Sequence, residues 1–421
     1  MGEFGPHELG RAEEPEEISE PQEPIISPEE LSADLIARER MHLFAIQRLI
    51  SGSTISNDEK RKKFGELDEL SEFLSGSKLS RDPFFYPDEM LMTEEKENYH
   101  LEQEIESKYS NESNWKIHAI PNGDIVAGKA DGSVSIFHPD LNGKSKEWSE
   151  EFVADLPENR QIYALKALPD GRIMVGYEFG SLVIYSRGKD DDWESEVIVS
   201  EIKSKRRDTR SINILSDGGI VIHRSDSSIS VYKKIQDTWA EEEVSKPSGT
   251  SQTFNGIKDI QVLPDGLIVT LDSRGTVFIL TRDKKGWQKE LFHAKGKGSE
   301  INCSIQTFPD GRIVVSRGRQ PIVIYNKAKT GWKKETVDRG REKDAAIRSL
   351  RTLPDGRIIA GTYSGLIVLY KKTTDGWQEE IIQEETGSLT DGVHAIQALP
   401  DGRFVAACGN KIRVFDGDPI E

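Results

Sequence analysis

Leu353-Pro354-Asp355-Gly356-Arg357-Ile358-Ile359-Ala360-Gly361-Thr362-Tyr363-Ser364-Gly365-Leu366-Ile367-Val368-Leu369-Tyr370 packs a turn, a strand, a second turn and another strand into one short stretch. Pro presets φ for the turn, Asp bonds back to nearby backbone, and Gly supplies the positive φ. The signal recurs at Pro121-Asn122-Gly123, Pro169-Asp170-Gly171, Ser216-Asp217-Gly218, Pro264-Asp265-Gly266, Pro309-Asp310-Gly311 and Pro400-Asp401-Gly402. The seven glycines stand 48, 47, 48, 45, 45 and 46 residues apart. A register kept over seven copies is an internal repeat.

Working outward, a short strand precedes each turn (Ile396 to Leu399) and another follows it (Arg403 to Ala406). A third comes after a short loop, as at Leu182-Val183-Ile184-Tyr185, Ile322-Val323-Ile324-Tyr325 and Leu366 to Tyr370. A fourth opens at Trp148, Trp193, Trp239, Trp287, Trp332 or Trp377. Three residues on stands Glu151, Glu196, Glu242, Glu290, Glu335 or Glu380. No segment of the unit has helical length or period. Four-stranded units at this spacing predict an all-β fold, a seven-bladed β-propeller, whose radial closure shields strand edges.

The seventh copy ends with its third strand, Lys411 to Phe415, and no Trp strand follows. Tyr99-His100-Leu101-Glu102 stands where Trp-x-x-Glu belongs, 22 residues before Pro121, the spacing that Trp287 and Trp332 keep to their next turn. Residues about 98–107 are therefore expected to complete the last blade and close the ring by pairing the chain ends.

The half-unit Leu-Pro-Asp-Gly-Arg-Ile-x-x-Gly-x-x-x-Gly-x-Ile-x-x-Tyr resembles the WD-repeat propellers, over residues 98–421. It departs from them in three ways. The Trp-Asp pair ending the third strand is replaced by Tyr or Phe, or by Leu280 in one copy. The Gly-His pair is absent, and Trp-x-x-Glu is this chain's own signature. The resemblance implies an interaction platform rather than an enzyme.

Composition fits a sheet protein with a polar extension: 35% hydrophobic and 31% charged residues. The net charge of −17 is uneven. Residues 1–30 hold ten Glu and one Arg, so the large domain is close to neutral, and bulk nucleic-acid binding is disfavoured. No run of 18 apolar residues predicts a membrane span, and the N-terminus lacks the pattern of a secretory signal. Two cysteines, Cys303 and Cys408, leave no disulfide framework and fit a reducing, cytoplasmic location.

Residues 1–26 read as an acidic Pro/Glu-rich disordered tail. Residues 27–97 read as a helical arm and linker. Ser27-Pro28-Glu29-Glu30 and Ser56-Asn57-Asp58-Glu59 start two amphipathic helices, which either pack on the propeller or serve as a dimerisation or partner-binding arm.

No phosphate loop, sialidase motif or metal-ligand spacing of histidines appears, so no cofactor, metal or catalytic residue is expected. The position four residues before each turn is always aliphatic. The position six before is not kept from copy to copy: Trp115, Tyr163, Arg210, Lys258, Cys303, Arg348 and His394. A position the scaffold does not repeat is where function can be written. The loops between second and third strands add Lys129, Tyr177, Phe179, Arg224, Arg274, Arg317, Arg319, Tyr363 and Lys411. Aromatic anchors with arginines compose a recognition face, expected to bind a protein or an acidic or phosphorylated peptide. An alternative reading is an anion reader for phosphoinositide or phosphorylated ligands. It is favoured if Arg210, Arg348 and Lys258 gather around one pocket. A propeller lyase or hydrolase is a third reading, which a carboxylate pair or a metal in the channel would favour.

Overall fold

The computed structural model describes residues 96–419 apart from the short segments 110–113, 121, 140–146, 155–159, 169, 201–206, 216, 237, 246–255, 264, 274, 294–302, 309, 329–330, 340–345, 354, 385–391 and 400. The expectations for the acidic tail and the two helices lie outside the described residues. Within them stand 28 strands in seven four-stranded antiparallel sheets. This is the seven-bladed propeller that the repeat predicts. The innermost strands are Asn114–Ala119, Ile162–Ala167, Thr209–Ile214, Ile257–Val262, Cys303–Thr307, Ile347–Thr352 and Val393–Ala398. Each neighbours the next around a ring, and Val393–Ala398 neighbours Asn114–Ala119.

The repeated turn explains the repeated motif. In all seven copies the glycine lies at positive φ, between +80° and +92°. Its N–H donates to the carbonyl three residues back, as Gly356 does to Leu353 at 3.0 Å. The Asx side chain accepts the N–H two residues on, as in Arg357 to Asp355 at 2.9 Å and Asp124 to Asn122 at 3.0 Å. The hairpin is thus locked by local chemistry before any blade meets another.

The motif's next glycine has a tertiary cause. A Cβ added at Gly176 would sit 2.5 Å from Thr209 of the following blade, and one at Gly361 would sit 2.4 Å from Val393. The next inner strand approaches too closely there for any side chain.

The core is likewise ring-shaped. Seven clusters of buried apolar residues each fill one boundary between adjacent blades. One joins Val175, Tyr177 and Tyr185 to Val126 and Val134 of the preceding blade. The burial pattern of the second strands is continuous rather than alternating, because both of their faces meet a neighbour.

In the seventh sheet the outer strand, Lys96–Glu106, comes from the other end of the chain and pairs antiparallel with Lys411–Pro419. Two register shifts interrupt it, between Glu97 and His100 and between Leu101 and Gln103. The second moves Gln103, rather than Glu102, opposite Val414. In other blades that place belongs to the motif glutamate, as in Glu196 opposite Ile184. Tyr99 lies near the Trp position, but it turns inward. It is buried edge-on against Phe404, with its hydroxyl donating to the Gly402 carbonyl at 2.9 Å.

Candidate functional site

The site begins with a defect repeated in six blades. The inner strands shift register against their partners between Asn114 and Lys116, Ile162 and Ala164, Thr209 and Ser211, Ile257 and Asp259, Ile347 and Ser349, and Val393 and Ala395. The skipped residues are Trp115, Tyr163, Arg210, Lys258, Arg348 and His394, the variable ring of the sequence. Cys303 of the fifth blade keeps regular pairing with Arg317. A bulge opposes two residues to one and re-aims a side chain. The variable residue therefore leans to the same side as the residue after it, and the strict alternation of a flat strand does not apply.

The inner strands surround a polar cavity of about 290 Å³. Of the variable positions, Arg210, Lys258, Cys303, Arg348 and His394 line it, and Tyr163 does not. Two further rings lie deeper. One holds Lys116, Ala164, Ser211, Asp259, Ser304, Ser349 and Ala395. The other holds His118, Lys166, Asn213, Gln261, Gln306, Arg351 and Gln397. Ile117, Ile212, Ile260 and their equivalents belong to the core between blades.

Two cation–aromatic pairs stand at the mouth. The Arg210 guanidinium lies 4.1 Å from the Tyr163 ring centroid and donates to buried Asp208 at 2.9 Å. Arg348 lies 4.6 Å from the ring of Tyr363, which is 37% exposed. Burial holds Arg348 below the usual guanidinium range. Burial, reinforced by Arg348 and Lys116, pushes His394 down to about 4, so its imidazole is neutral at pH 7.

Deeper, burial pulls Lys116 down. Asp259 opposes that shift, and Arg210 and Arg348 add to it. Asp259 is pushed up to about 6 by burial, against hydrogen bonds from the Ile305 N–H at 3.0 Å and the Ile260 N–H at 2.9 Å and the charge of Lys116. Both groups lie deep in the protein yet keep part of their surface on the channel, so water softens these effects.

Several expected contact residues lie elsewhere. Tyr177 is fully buried, its hydroxyl 2.8 Å from that of Tyr185. Arg224 is 2% exposed, tied to Ser230 and Tyr232 and 3.5 Å from Glu241. Lys129 is buried against Glu150 at 2.9 Å. These three end their second strands as pillars between strands and do not reach a partner. Lys411 pairs with Glu104 at 2.7 Å on the closing sheet. Phe179 is half-buried at φ +59° with Arg160 5.7 Å from its ring. Arg317 is half-buried with its Cδ over Gly275, and Arg319 is exposed. Arg274 and the Trp115 side chain lie outside the described residues.

Sequence reasoning missed Asp259 and Lys116. It stepped by two along the strand from the variable residue and so arrived at the aliphatic core position. The signal was present: the position five before each turn also varies from copy to copy. Among the described residues no three His, Cys, Asp or Glu side chains gather as a metal site.

No protein-family model matches the chain, and no curated protein does. Solved structures do. A streptogramin B lyase superposes with a TM-score of 0.58 at 14% identity, over 76% of this chain and 98% of that one. The WD40 β-propeller domain of Doa1 gives 0.56 at 12% identity, over 76% and 97%. The β-propeller domain of Myceliophteria thermophila Cps50 (Swd1) gives 0.56 at 10% identity, over 75% and 99%. At such identities the likeness establishes the fold alone: a seven-bladed, WD-like propeller.

Proposed function

We propose that this propeller is a protein-interaction platform that docks an acidic or phosphorylated segment of its partner over the mouth of the central channel. The observation that carries this reading is the pair of aromatic-backed arginines, Arg210 on Tyr163 and Arg348 on Tyr363. An aromatic face holds a guanidinium in one orientation at little entropic cost. The guanidinium edge then offers paired donors to a carboxylate or phosphate. Lys258, exposed at the same mouth, adds charge. Solved propellers of the same fold include the WD40 domain of Doa1, which supports an interaction role. Two cysteines in 421 residues support a reducing compartment, the cytoplasm.

The lyase likeness does not carry a competing reading. At 14% identity it shows the fold alone, and among the described residues lining the cavity Asp259 is the one acid, so no carboxylate pair of the hydrolytic kind is assembled there.

The test is affinity capture with quantitative mass spectrometry, comparing the native chain with Arg210→Ala/Arg348→Ala, before and after phosphatase treatment of the lysate. Specific partners are expected to fall by an order of magnitude with the double variant while the melting temperature holds. Unchanged recovery with the double variant would move the partner site to the outer strands.

A further inference from the structure

The channel beneath that mouth has a charge balance that the fold does not require. Lys116, Lys166, Lys258, Arg210, Arg348 and Arg351 line it, against, among the described residues, the single carboxylate of Asp259. They come from blades one, two, three, four and six. The domain as a whole has no such excess, so the cations are concentrated here. The deepest are not solvated like surface groups: Arg351 is 5% exposed. Lys116 feels Arg210 and Arg348 strongly enough for both to shift its titration. Like charges held this close inside a protein repel one another, and burial adds to the cost. Polar side chains that accept or donate fill the space between them, including Ser211, Asn213, Ser304 and Gln306.

We infer that the central channel is a binding site for a compact polyanion bearing clustered phosphates. Lys116, Lys258 and Arg351 grip it from separate blades, and Arg348 closes over it. The volume of about 290 Å³ lies at the small end of ligand pockets, roughly 300–1,000 Å³, and suits a few phosphate groups better than a large apolar ligand. The lining is largely polar, which a polyphosphate needs and a hydrophobic ligand does not. Asp259 has a distinct part. It accepts the Ile305 and Ile260 N–H groups and faces the charge of Lys116. It opposes the ligand electrostatically and thereby limits its affinity.

This site goes beyond partner docking, because its ligand is a small molecule and its distinguishing residues lie below the mouth. The phosphates come either from a soluble metabolite or from a phosphoinositide headgroup.

Isothermal titration of the full chain with tripolyphosphate and with inositol hexakisphosphate separates the outcomes. Saturable 1:1 binding with a raised melting temperature is expected for at least one of them. Lys116→Gln should weaken it about tenfold, and Asp259→Asn should tighten it several-fold. The opposite signs guard against a folding defect, which weakens binding in both variants. Co-sedimentation with phosphatidylcholine vesicles carrying phosphatidylinositol bisphosphate identifies the source. Capture by vesicles that free inositol hexakisphosphate abolishes points to the headgroup, and binding in solution without capture points to a metabolite. Absence of saturable binding to all three probes overturns the inference. So does binding that Lys116→Gln and Asp259→Asn leave unchanged. Partner capture that persists while polyphosphate binding fails would overturn this site alone and leave the docking face standing.

Discussion

The indole Nε1–H of Trp193 donates to Glu151 Oε1 across the boundary between the first two blades, at 2.8 Å. The same bond joins Trp239 to Glu196 at 2.9 Å, Trp287 to Glu242 at 3.1 Å and Trp377 to Glu335 at 2.8 Å. Beside each indole lies a cation of the same hairpin: Arg187, Lys234, Arg282 or Lys372. That cation pairs with the same glutamate. Trp-x-x-Glu is thus a latch. At these four boundaries the outer strand of one blade offers its Glu to the Trp of the next. The Gly-His and Trp-Asp pairs of WD repeats are absent, and this chain ties its blades together at the outer strands instead.

Trp193→Phe should cost about 1 kcal/mol through the lost hydrogen bond to a charged acceptor. Trp193→Ala should cost about 2 kcal/mol, because the ring is half-buried. A double-mutant cycle with Glu151→Gln, followed by urea denaturation, should show coupling of about 0.5–1 kcal/mol. Strict additivity would mean the latch does not hold the blades together.

Gly356→Ala places a side chain at φ +89°, where its Cβ makes only ordinary van der Waals contact with the Arg312 guanidinium, 3.6 Å away. The cost is purely conformational, about 1–2 kcal/mol, and should appear in the melting temperature while leaving anion binding intact. Gly361→Ala meets Val393 as well as Ile396 and should cost more. Equal effects would contradict the close approach of the sixth and seventh blades.

Tyr99 joins the two chain ends. Tyr99→Phe removes the bond to Gly402 and should cost about 1 kcal/mol. Tyr99→Ala also removes a buried ring packed on Phe404 and should cost about 3–4 kcal/mol, with aggregation as the seventh sheet loses its outer strand. A Tyr99→Ala protein as stable as the parent would show that the ring is held shut elsewhere.

Asp259 predicts a pH dependence. Its pKa is about 6 in the folded chain and near the ordinary carboxylate value of 3.8 when unfolded. The native state therefore holds the proton more tightly, and the stability this contributes is present at low pH and lost as pH rises through about 6. Relative to Asp259→Asn, the parent should lose on the order of 1 kcal/mol between pH 5 and pH 7.5, measured by urea denaturation at each pH. A difference that stays flat, or grows with pH, would mean the carboxylate is solvated as on a surface.

Much of this architecture is written in local chemistry. Pro-Asp-Gly dictates a turn from three residues, and its return every 45 to 48 residues dictates a ring of similar units. Short aliphatic runs between turn signals do the same for the strands. The variable residue before each turn was legible as well, since repetition makes an exception visible. The rest depended on tertiary structure. A bulge changes which side a residue faces without changing any residue's type. Asp259 and Lys116 therefore belong to the channel only once strand pairing is known. Tyr177 and Arg224 looked like contact residues because loops usually face water, yet Tyr177 is buried against Tyr185 and the preceding blade, and Arg224 against Ser230 and Tyr232 of its own blade. The partners of Trp193, Trp239 and their equivalents lie more than forty residues away in sequence. Whether Trp and Glu meet within one blade or between two is decided only by how the closing ring sets each blade against the next.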